Sequence, residues 1–295
     1  MQPRNHPMHK GRHSSPMGHQ ALVLLRGGGD LASGVALRLH RAGINIIITE
    51  LAQPLAVRRS VSFAEAVYEG RHAVEEVTGR LVKPEQIPAV LEAGEIPVLI
   101  DPDASILLSS FLSFVIVIDA RLIKHSPEPL PVSVPLYIGL GPGFQAGVNC
   151  DAVIETRRSH TLGRVYWNGS PQPDSGQPEG DPRRVLRAPV DGILSSKVKI
   201  GEHVEAEQVI AVVGQKYSVI SPIKGVLRGL IHDGLPVTKG LKIGDIDPRD
   251  DPSACLLVSD KALSIGGAVL EAILTREEIR EKVFHHEGAK KREGS

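Results

Sequence analysis

Three consecutive glycines followed by an acid stand near the start of the chain, in the run Gly27-Gly28-Gly29-Asp30-Leu31-Ala32. The run fits the G-x-G-x-x-G/A pattern, in which the glycines allow a tight turn and a close approach of a pyrophosphate to the backbone. Free N–H groups at the start of the following helix favour an anion there. Glu50 lies 21 residues after Gly29, where an acid can hydrogen-bond a ribose hydroxyl. The pattern predicts a cofactor-binding loop, with Asp30 as a helix cap; a tight turn without a ligand is the alternative.

Other residues could take part in the same site. A second glycine turn contains Gly141 and Gly143, and together the two loops could hold a ligand with more than one phosphate. Arg58 and Arg59 are adjacent, as in pairs that clamp phosphate, although an exposed basic pair on a loop is the alternative. Asp101 ends a strand, where it could bind a ligand or cap the next turn.

No residue set in the chain predicts a particular catalytic reaction, and no metal site is predicted. Cys150 could carry sulfur or selenium if its pKa were lowered, whereas a buried inert thiol is the alternative. The chain has no Walker A loop, no H-E-x-x-H and no paired-cysteine zinc motif. The catalytic residues therefore stay unknown.

The elements that must position these residues alternate between strands and helices. ALVLLR, the glycine turn, LASGVALRLHRAG and INIIITE predict a strand, a turn, a helix and a strand. Further apolar runs end at Asp101, Asp119 and Leu140. The alternation predicts an α/β fold class with a Rossmann-like, doubly wound parallel sheet.

A second region has a different pattern. NGSPQPDSGQPEGDP is rich in proline and glycine and indicates a linker. Beyond it, the spacing Pro189-x-x-Gly192 recurs as Pro222-x-x-Gly225, and four further apolar or glycine positions repeat at the same offset. This repeat resembles the two halves of a biotinyl/lipoyl-type hammerhead. It predicts a small all-β barrel, with Lys216 at the position that carrier domains modify; a purely structural barrel is the favoured interpretation.

We expect five segments. They are a disordered tail over 1–20, a Rossmann-like nucleotide- or cofactor-binding domain over 21–160, a linker over 161–182, a repeated β-barrel domain over 183–250, and a C-terminal helix with a frayed tail over 251–295.

The composition limits the partners of the protein. Lys plus Arg and Asp plus Glu both number 34, so there is no net basic charge to hold nucleic acid. One Trp, four Tyr and five Phe leave few side chains on which bases could stack. The start of the chain lacks the apolar core of a signal peptide, and no apolar run approaches the roughly 20 residues of a membrane span. These features predict a cytoplasmic protein with neither a nucleic-acid nor a membrane partner, and leave a homo-oligomer open.

Several long blocks carry a family resemblance, among them RGGGDLASGVALRLHRAG, PLAVRRSVSFAEAVYEG, LGPGFQAG, VIETRRSHTLGRVYWNG, LKIGDIDPR and SDKALSIGGAVLEAIL. Between Ala21 and Leu274 the chain resembles accessory proteins of selenium-dependent molybdenum hydroxylases, and more distantly those of xanthine dehydrogenase. The family's recurring polar residues match Asp30, Glu50, Arg58, Arg59, Glu65, Asp101, Asp119, Glu155, His160, Arg164, Asp245, Asp247, Arg249 and Asp260.

The resemblance implies a maturation factor rather than a classical enzyme. Such a protein would bind molybdenum cofactor in its molybdopterin dinucleotide form, or help to deliver selenium or sulfur to it, with the apo molybdenum hydroxylase as its partner. The glycine loop alone also fits an NAD(P)-dependent oxidoreductase acting on a small substrate. A third hypothesis is a non-catalytic adaptor that docks the apo-hydroxylase.

Overall fold

The computed structural model describes residues 21–110, 112, 115–176 and 180–284. The predicted tail over 1–20 and the predicted frayed end from residue 285 onward lie outside the described residues. Residues 177–179 of the predicted linker also lie outside them.

The first part of the chain forms one nine-stranded sheet in the order β3-β4-β5-β2-β1-β6-β7-β8-β9. The strands from β4 to β8 pair in parallel, and β3 and β9 pair antiparallel to their neighbours at the two edges. Strands in the middle of the sheet are buried along nearly their whole length, because helices and loops cover both faces. The strands are β1 (Leu22–Arg26), β2 (Asn45–Glu50), β3 (Arg71–Val74), β4 (Val77–Leu81), β5 (Ile96–Ile100), β6 (Val115–Asp119), β7 (Leu136–Leu140), β8 (Ala152–Ile154) and β9 (Val165–Tyr166).

The predicted doubly wound, Rossmann-like parallel sheet is wrong. A doubly wound fold joins its parallel strands through helices on both faces. Here α1 (Asp30–Arg41) joins β1 to β2, but fully described segments without a helix join β6 to β7 and β7 to β8. The sheet is therefore mixed, with an antiparallel pair at each edge.

A helix from the end of the chain covers the face that these connections leave open. α4 (Asp260–Thr275) packs beside α1 above the sheet, and its buried residues join the same apolar core. The other face carries the short α3 (Ile87–Glu92) and a second apolar cluster. The two remaining helices are α2 (Ala66–Glu69) and α5 (Glu277–Phe284).

The helices α1 and α4 run in the same direction and touch through small residues. A Cβ atom added to Gly34 would lie 2.6 Å from the Cβ atom of Ala262, and one added to Gly266 would lie 2.7 Å from the Gly34 carbonyl oxygen. Farther along both helices, the Arg38 side chain donates to the Leu263 carbonyl. Close backbone packing therefore sets the two helix N-termini next to each other.

One stretch of the described chain, Pro252–Thr275, is long and apolar enough to pass a length-and-composition test for a membrane span. Most of it is α4, whose apolar face packs on α1 and the sheet. The described residues thus form a soluble-type fold in which this helix belongs to the core.

The second part of the chain forms two four-stranded antiparallel sheets, in the orders β10-β17-β15-β12 and β14-β13-β11-β16. The prediction of a small hammerhead-like barrel is wrong, because the strands pair as two separate sheets around one apolar core. The strands are β10 (Val185–Arg187), β11 (Gly192–Ser196), β12 (His203–Val204), β13 (Val209–Val213), β14 (Tyr217–Ile220), β15 (Gly225–Leu230), β16 (Pro236–Val237) and β17 (Lys242–Asp247).

The internal repeat of the sequence has a structural counterpart. The strands β11, β12 and β13 begin 33 residues before β15, β16 and β17, respectively. Each repeat divides its strands between the sheets, since β12 pairs with β15 while β16 pairs with β11. Lys216 lies in the turn between β13 and β14, where its ammonium group is 5.8 Å from the centre of the Tyr217 ring.

Candidate functional site

A cleft of about 1570 Å³ lies where the carboxyl ends of β1, β2 and β6 face the antiparallel sheet that contains β17. Its walls come from the glycine turn after β1, the segment 49–58 after β2, the end of β17 and the segment that leads into α4. Open sheets bind ligands at the carboxyl ends of their strands, and the cleft is at such an edge.

The first glycine turn contributes to the cleft mainly through Gly29. A Cβ atom added to Gly29 would meet nothing within 4 Å, whereas one on Gly28 would lie 2.9 Å from the Ala64 nitrogen. The first hydrogen bond within α1 joins the Ser33 amide to the Gly29 carbonyl. The amides before Ser33 therefore have no carbonyl partner within the helix, and they give the start of α1 its partial positive charge.

Glu50 lines the cleft at the end of β2, but both of its carboxylate oxygens accept from backbone amides. Its Oε1 atom accepts from the Gly28 amide at 2.9 Å, and its Oε2 atom accepts from the Leu51 amide at 2.6 Å. Burial raises the pKa of Glu50, and these two hydrogen bonds oppose the rise. The Gly27 amide donates to the Thr49 carbonyl. Glu50 thus stabilises the glycine turn. Two of the three loop amides that a pyrophosphate would need, those of Gly27 and Gly28, donate to acceptors of the protein itself.

Arg58 is a cationic residue of the cleft that is almost fully buried. It is 8% exposed, and its Nη2 atom donates to the Ala254 and Leu257 carbonyls at 3.2 and 3.1 Å. Its Nη1 atom lies 3.6 Å from an Asp30 carboxylate oxygen, beyond hydrogen-bond distance. Within the described residues, the buried Nε and Nη1 atoms have no hydrogen-bond partner. Two donors of a buried cation are therefore left for another acceptor.

Further cations from the antiparallel sheet surround Arg58. Burial lowers the pKa of Arg58, and the nearby positive charge of Arg228 lowers it further. Arg228 lies 3.5 Å from Asp247, and its buried Nε atom also has no hydrogen-bond partner among the described residues. The side chains of Arg228 and Lys242 were not predicted from the sequence, because they stand alone on strands with no phosphate-binding pattern.

Lys242 projects into the cleft from the start of β17. Its ammonium group makes no hydrogen bond or ion pair with any residue of the described chain. Desolvation within the cleft lowers the pKa of Lys242, although its side chain is open to the cleft, and the positive charges of Arg184 and Arg228 act in the same direction. Asp245 and Asp30 oppose this effect. The cations nearest Arg58 thus repel one another, although nine cationic and nine acidic residues line the cleft as a whole.

The N-terminus of α4 opens into the same cleft beside that of α1. Ser259 caps α4 by accepting from the Ala262 amide at 3.2 Å, and Asp260 pairs with Arg158 at 2.8 Å. Ser259, Asp260 and Lys261 all line the cleft. Two parallel helices therefore direct their positive ends toward one space.

Five of the predicted site residues do not line this cleft; they are Gly28, whose amide donates to Glu50, and Arg59, Asp101, Gly141 and Gly143. Arg59 donates to the Leu230 carbonyl and to Glu65, and so ties the two parts of the molecule together. Asp101 accepts from the Ser105 and Ile106 amides and caps a turn, as its alternative interpretation stated. Gly141 and Gly143 belong to a turn packed against the chain at 122–125, where a Cβ atom on Gly143 would lie 2.4 Å from a carbonyl oxygen. The two glycine loops do not enclose one ligand.

Several other polar residues named above have structural partners. The buried Glu65 carboxylate accepts from Arg59 at 3.0 Å. Asp119 accepts from Arg121 and from the Tyr137 hydroxyl, and thereby fixes Arg121 at the edge of the cleft. Glu155 accepts from the amides of Arg157 and Gln172.

Neither cysteine is placed for thiolate chemistry. Cys150 and Cys255 are both free and buried, and burial raises the pKa of Cys150 to about 11. A thiol with such a pKa stays protonated at neutral pH. Among residues 21–110, 112, 115–176 and 180–284, no group of three or more His, Cys, Asp or Glu side chains could hold a metal ion.

Comparison with known proteins gives one relative by sequence. No family model matches the chain. "Uncharacterized protein YqeB" of Escherichia coli (strain K12) is 46% identical over 266 residues, which make up 88% of this chain and 48% of the relative. The chain thus spans about half the length of the curated relative that it matches.

Solved structures give only weak likenesses. An aspartoacylase family protein from Mesorhizobium loti is 12% identical over 77% of this chain and 84% of its own, with a TM-score of 0.26. The product-bound ectoine utilization protein EutE from Ruegeria pomeroyi is 12% identical over 78% of this chain and 85% of its own, with a TM-score of 0.25. Scores this low support no argument about fold or activity.

The comparisons contradict the resemblance to accessory proteins of selenium-dependent molybdenum hydroxylases. The curated relative has no such role in its description. The predicted maturation role, with its selenium or sulfur delivery, is therefore wrong. The two alternatives, the NAD(P)-dependent oxidoreductase and the adaptor for an apo-hydroxylase, are equally without support.

The predicted cofactors are wrong as well. The curated relative is not described as binding molybdopterin dinucleotide or NAD(P). The geometry gives a physical reason for the error, because Glu50 binds the loop amide that a dinucleotide pyrophosphate would need, and neither Gly141 nor Gly143 lines the cleft.

Proposed function

We propose that this protein binds a small molecule carrying a phosphate or a comparably charged anionic group, in the cleft between the nine-stranded sheet and the antiparallel sheet. Arg58, Lys242 and the N-terminus of α1 at Gly29 and Asp30 would receive the anionic group. We also propose a cytoplasmic location, since the two cysteines are free thiols. Self-association stays a prediction.

The buried Arg58 side chain carries this proposal. A buried charged donor without an acceptor costs more than a neutral one, roughly 1–3 kcal/mol or above, so such groups are rare unless something binds them. The Nε and Nη1 atoms of Arg58 are two such donors on one planar guanidinium group. The N–H bonds of these two atoms point away from different edges of the guanidinium plane, so a phosphate would accept a charge-assisted hydrogen bond from one of them.

The charges around Arg58 support the same ligand class. The positive charge of Arg228 lowers the pKa of both Arg58 and Lys242, which means that these cations repel one another in the cleft. A dianion would relieve this repulsion. The paired helix N-termini of α1 and α4 add partial positive charge of the same sign.

Calorimetric titration with inorganic phosphate and pyrophosphate tests the proposal. We expect both anions to bind, with affinity that falls as ionic strength rises. Arg58→Gln should weaken pyrophosphate binding by roughly ten- to a hundredfold, the worth of one or two charge-assisted hydrogen bonds. Lys242→Gln should weaken it less, because this side chain is open to the cleft.

Lys224→Gln is the matched control. Lys224 also projects from the antiparallel sheets, but it pairs with Glu205 and does not line the cleft. This variant should bind pyrophosphate as the unaltered protein does. The proposal fails if the unaltered protein binds neither anion, or if Lys242→Gln and Lys224→Gln have equal effects. Thermal unfolding of each variant separates lost binding from lost folding.

A further inference from the structure

We propose that the anionic group of the ligand is joined to an apolar body, which rests on a leucine wall formed by Leu51, Leu55 and Leu257. The ligand class is a small phosphate monoester with an aromatic or branched aliphatic group. This inference rests on the proposed anion site, because it places the apolar body in the same cleft.

The leucine wall is exposed although its residues are large and apolar. Leu51, Leu55 and Leu257 are 50%, 44% and 55% exposed, and all three line the cleft. Scattered exposed leucines are normal on a protein surface, but several that share one cleft mark a binding surface. A ligand that covered them would gain free energy by removing this apolar area from water.

Backbone contacts connect the leucine wall to the anion site. Arg58 donates to the carbonyl of Leu257, so that the leucine lies directly beside the guanidinium group. The Leu51 amide donates to Glu50, whose other carboxylate oxygen holds the glycine turn. Leu55 lies in the segment between Glu50 and Arg58. A molecule held by Arg58 would thus have apolar side chains around its uncharged part.

The size of the cleft favours such a ligand over an inorganic ion. The cleft measures about 1570 Å³, which exceeds the roughly 300–1,000 Å³ of ordinary small-molecule sites. A phosphate group alone would fill only a small part of it. Because the leucine wall lies inside a cleft between two sheets, a small soluble molecule suits it better than a flat membrane surface.

The test compares three dianions by calorimetry at one pH above the second pKa of each: inorganic phosphate, methyl phosphate and phenyl phosphate. Phenyl phosphate should bind at least about tenfold more tightly than methyl phosphate, given the apolar area that a phenyl ring can bury. Leu257→Ser should remove most of this preference, measured as the ratio of the affinities for phenyl phosphate and methyl phosphate within the variant.

Leu256→Ser is the matched control for Leu257→Ser. Leu256 is the neighbouring residue, is 65% exposed and does not line the cleft. The Leu256→Ser variant should keep the full preference for phenyl phosphate over methyl phosphate. Equal binding of methyl and phenyl phosphate, or equal losses in the two variants, would overturn the inference while the anion site stood. Absence of binding by all three anions would instead overturn the proposed function itself. Binding to phosphatidic acid vesicles but not to phenyl phosphate would also overturn the inference, in favour of a membrane surface.

Discussion

At the scale of single residues, the candidate site contains cations whose N–H groups have few hydrogen-bond acceptors within the described chain. Arg58 has only two backbone carbonyls for its buried guanidinium group, and Asp30 is too far from it for a hydrogen bond. Lys242 has no partner within the described chain. Surface cations elsewhere are better paired, as Arg41 is with Glu75 and Glu76. This difference marks the cleft as a place where a bound anion would lower the free energy.

Lys242 should take up a proton when an anion binds. The pKa of Lys242 is lowered in the cleft, and a neighbouring phosphate would raise it toward the ordinary value, because an opposite charge favours the protonated form. At a pH between these two pKa values, Lys242 is largely deprotonated in the free protein and largely protonated in the complex. Just below the ordinary lysine pKa of about 10.4, binding of inorganic phosphate should therefore be accompanied by net proton uptake.

Calorimetry in two buffers with different ionisation enthalpies measures this uptake. Lys242→Arg should abolish it, since an arginine stays protonated throughout, and should keep the binding itself. Proton uptake that is unchanged in Lys242→Arg would show that another group titrates.

At the scale of elements, the parallel pair of α1 and α4 positions two helix N-termini at the cleft. The pair depends on glycines at its contact, where Gly34 and Gly266 leave room for the opposite backbone. A residue with a side chain at either position would push the helices apart. The position of the α4 N-terminus therefore follows from backbone contact rather than from a loop.

Two adjacent glycines of α4 should respond oppositely to alanine. Gly266→Ala would put a Cβ atom 2.7 Å from the Gly34 carbonyl oxygen and should lower the free energy of unfolding by about 1–3 kcal/mol. At Gly267 an added Cβ meets nothing within 4 Å, so Gly267→Ala should raise the free energy of unfolding by about 0.5–1 kcal/mol through helix propensity. Denaturant unfolding measures both. Similar effects at the two positions would contradict the described helix contact.

Local patterns predicted individual elements better than their arrangement. The strand, turn, helix and strand expected between Ala21 and Ile48 correspond to β1, α1 and β2, because apolar periodicity and the glycine turn specify them locally. The antiparallel edge strands β3 and β9 could not be predicted, since short strands of two to four residues carry little periodicity. The repeat was visible as an offset of 33 residues, but nothing in the sequence showed that each repeat divides its strands between two sheets.

At the scale of the whole molecule, the cleft exists because the antiparallel sheets are held against the nine-stranded sheet. Gly229 allows this contact, since a Cβ atom there would lie 2.7 Å from the Val57 carbonyl oxygen. Arg59 reaches across to the Leu230 carbonyl while it balances the buried Glu65. The second arginine of the predicted pair thus joins the two parts, and the first faces the ligand site.

The sequence predicted only half of the candidate site. Gly29 and Asp30 were named because they belong to a recognisable glycine turn, and Arg58 because it is one of two adjacent arginines. Arg228 and Lys242 reach the same cleft from at least 170 residues away, and only the tertiary fold brings them together. Glu50 was predicted as a ribose partner, but its carboxylate binds the backbone of the turn, which a pattern of residue types does not reveal.

The most direct measurement is a crystal structure of the protein soaked with tungstate, a heavy analogue of phosphate with strong anomalous scattering. We expect one anomalous peak in the cleft, beside the guanidinium group of Arg58 and close to Lys242. A cleft without a peak, in a crystal where tungstate binds elsewhere on the protein, would contradict it.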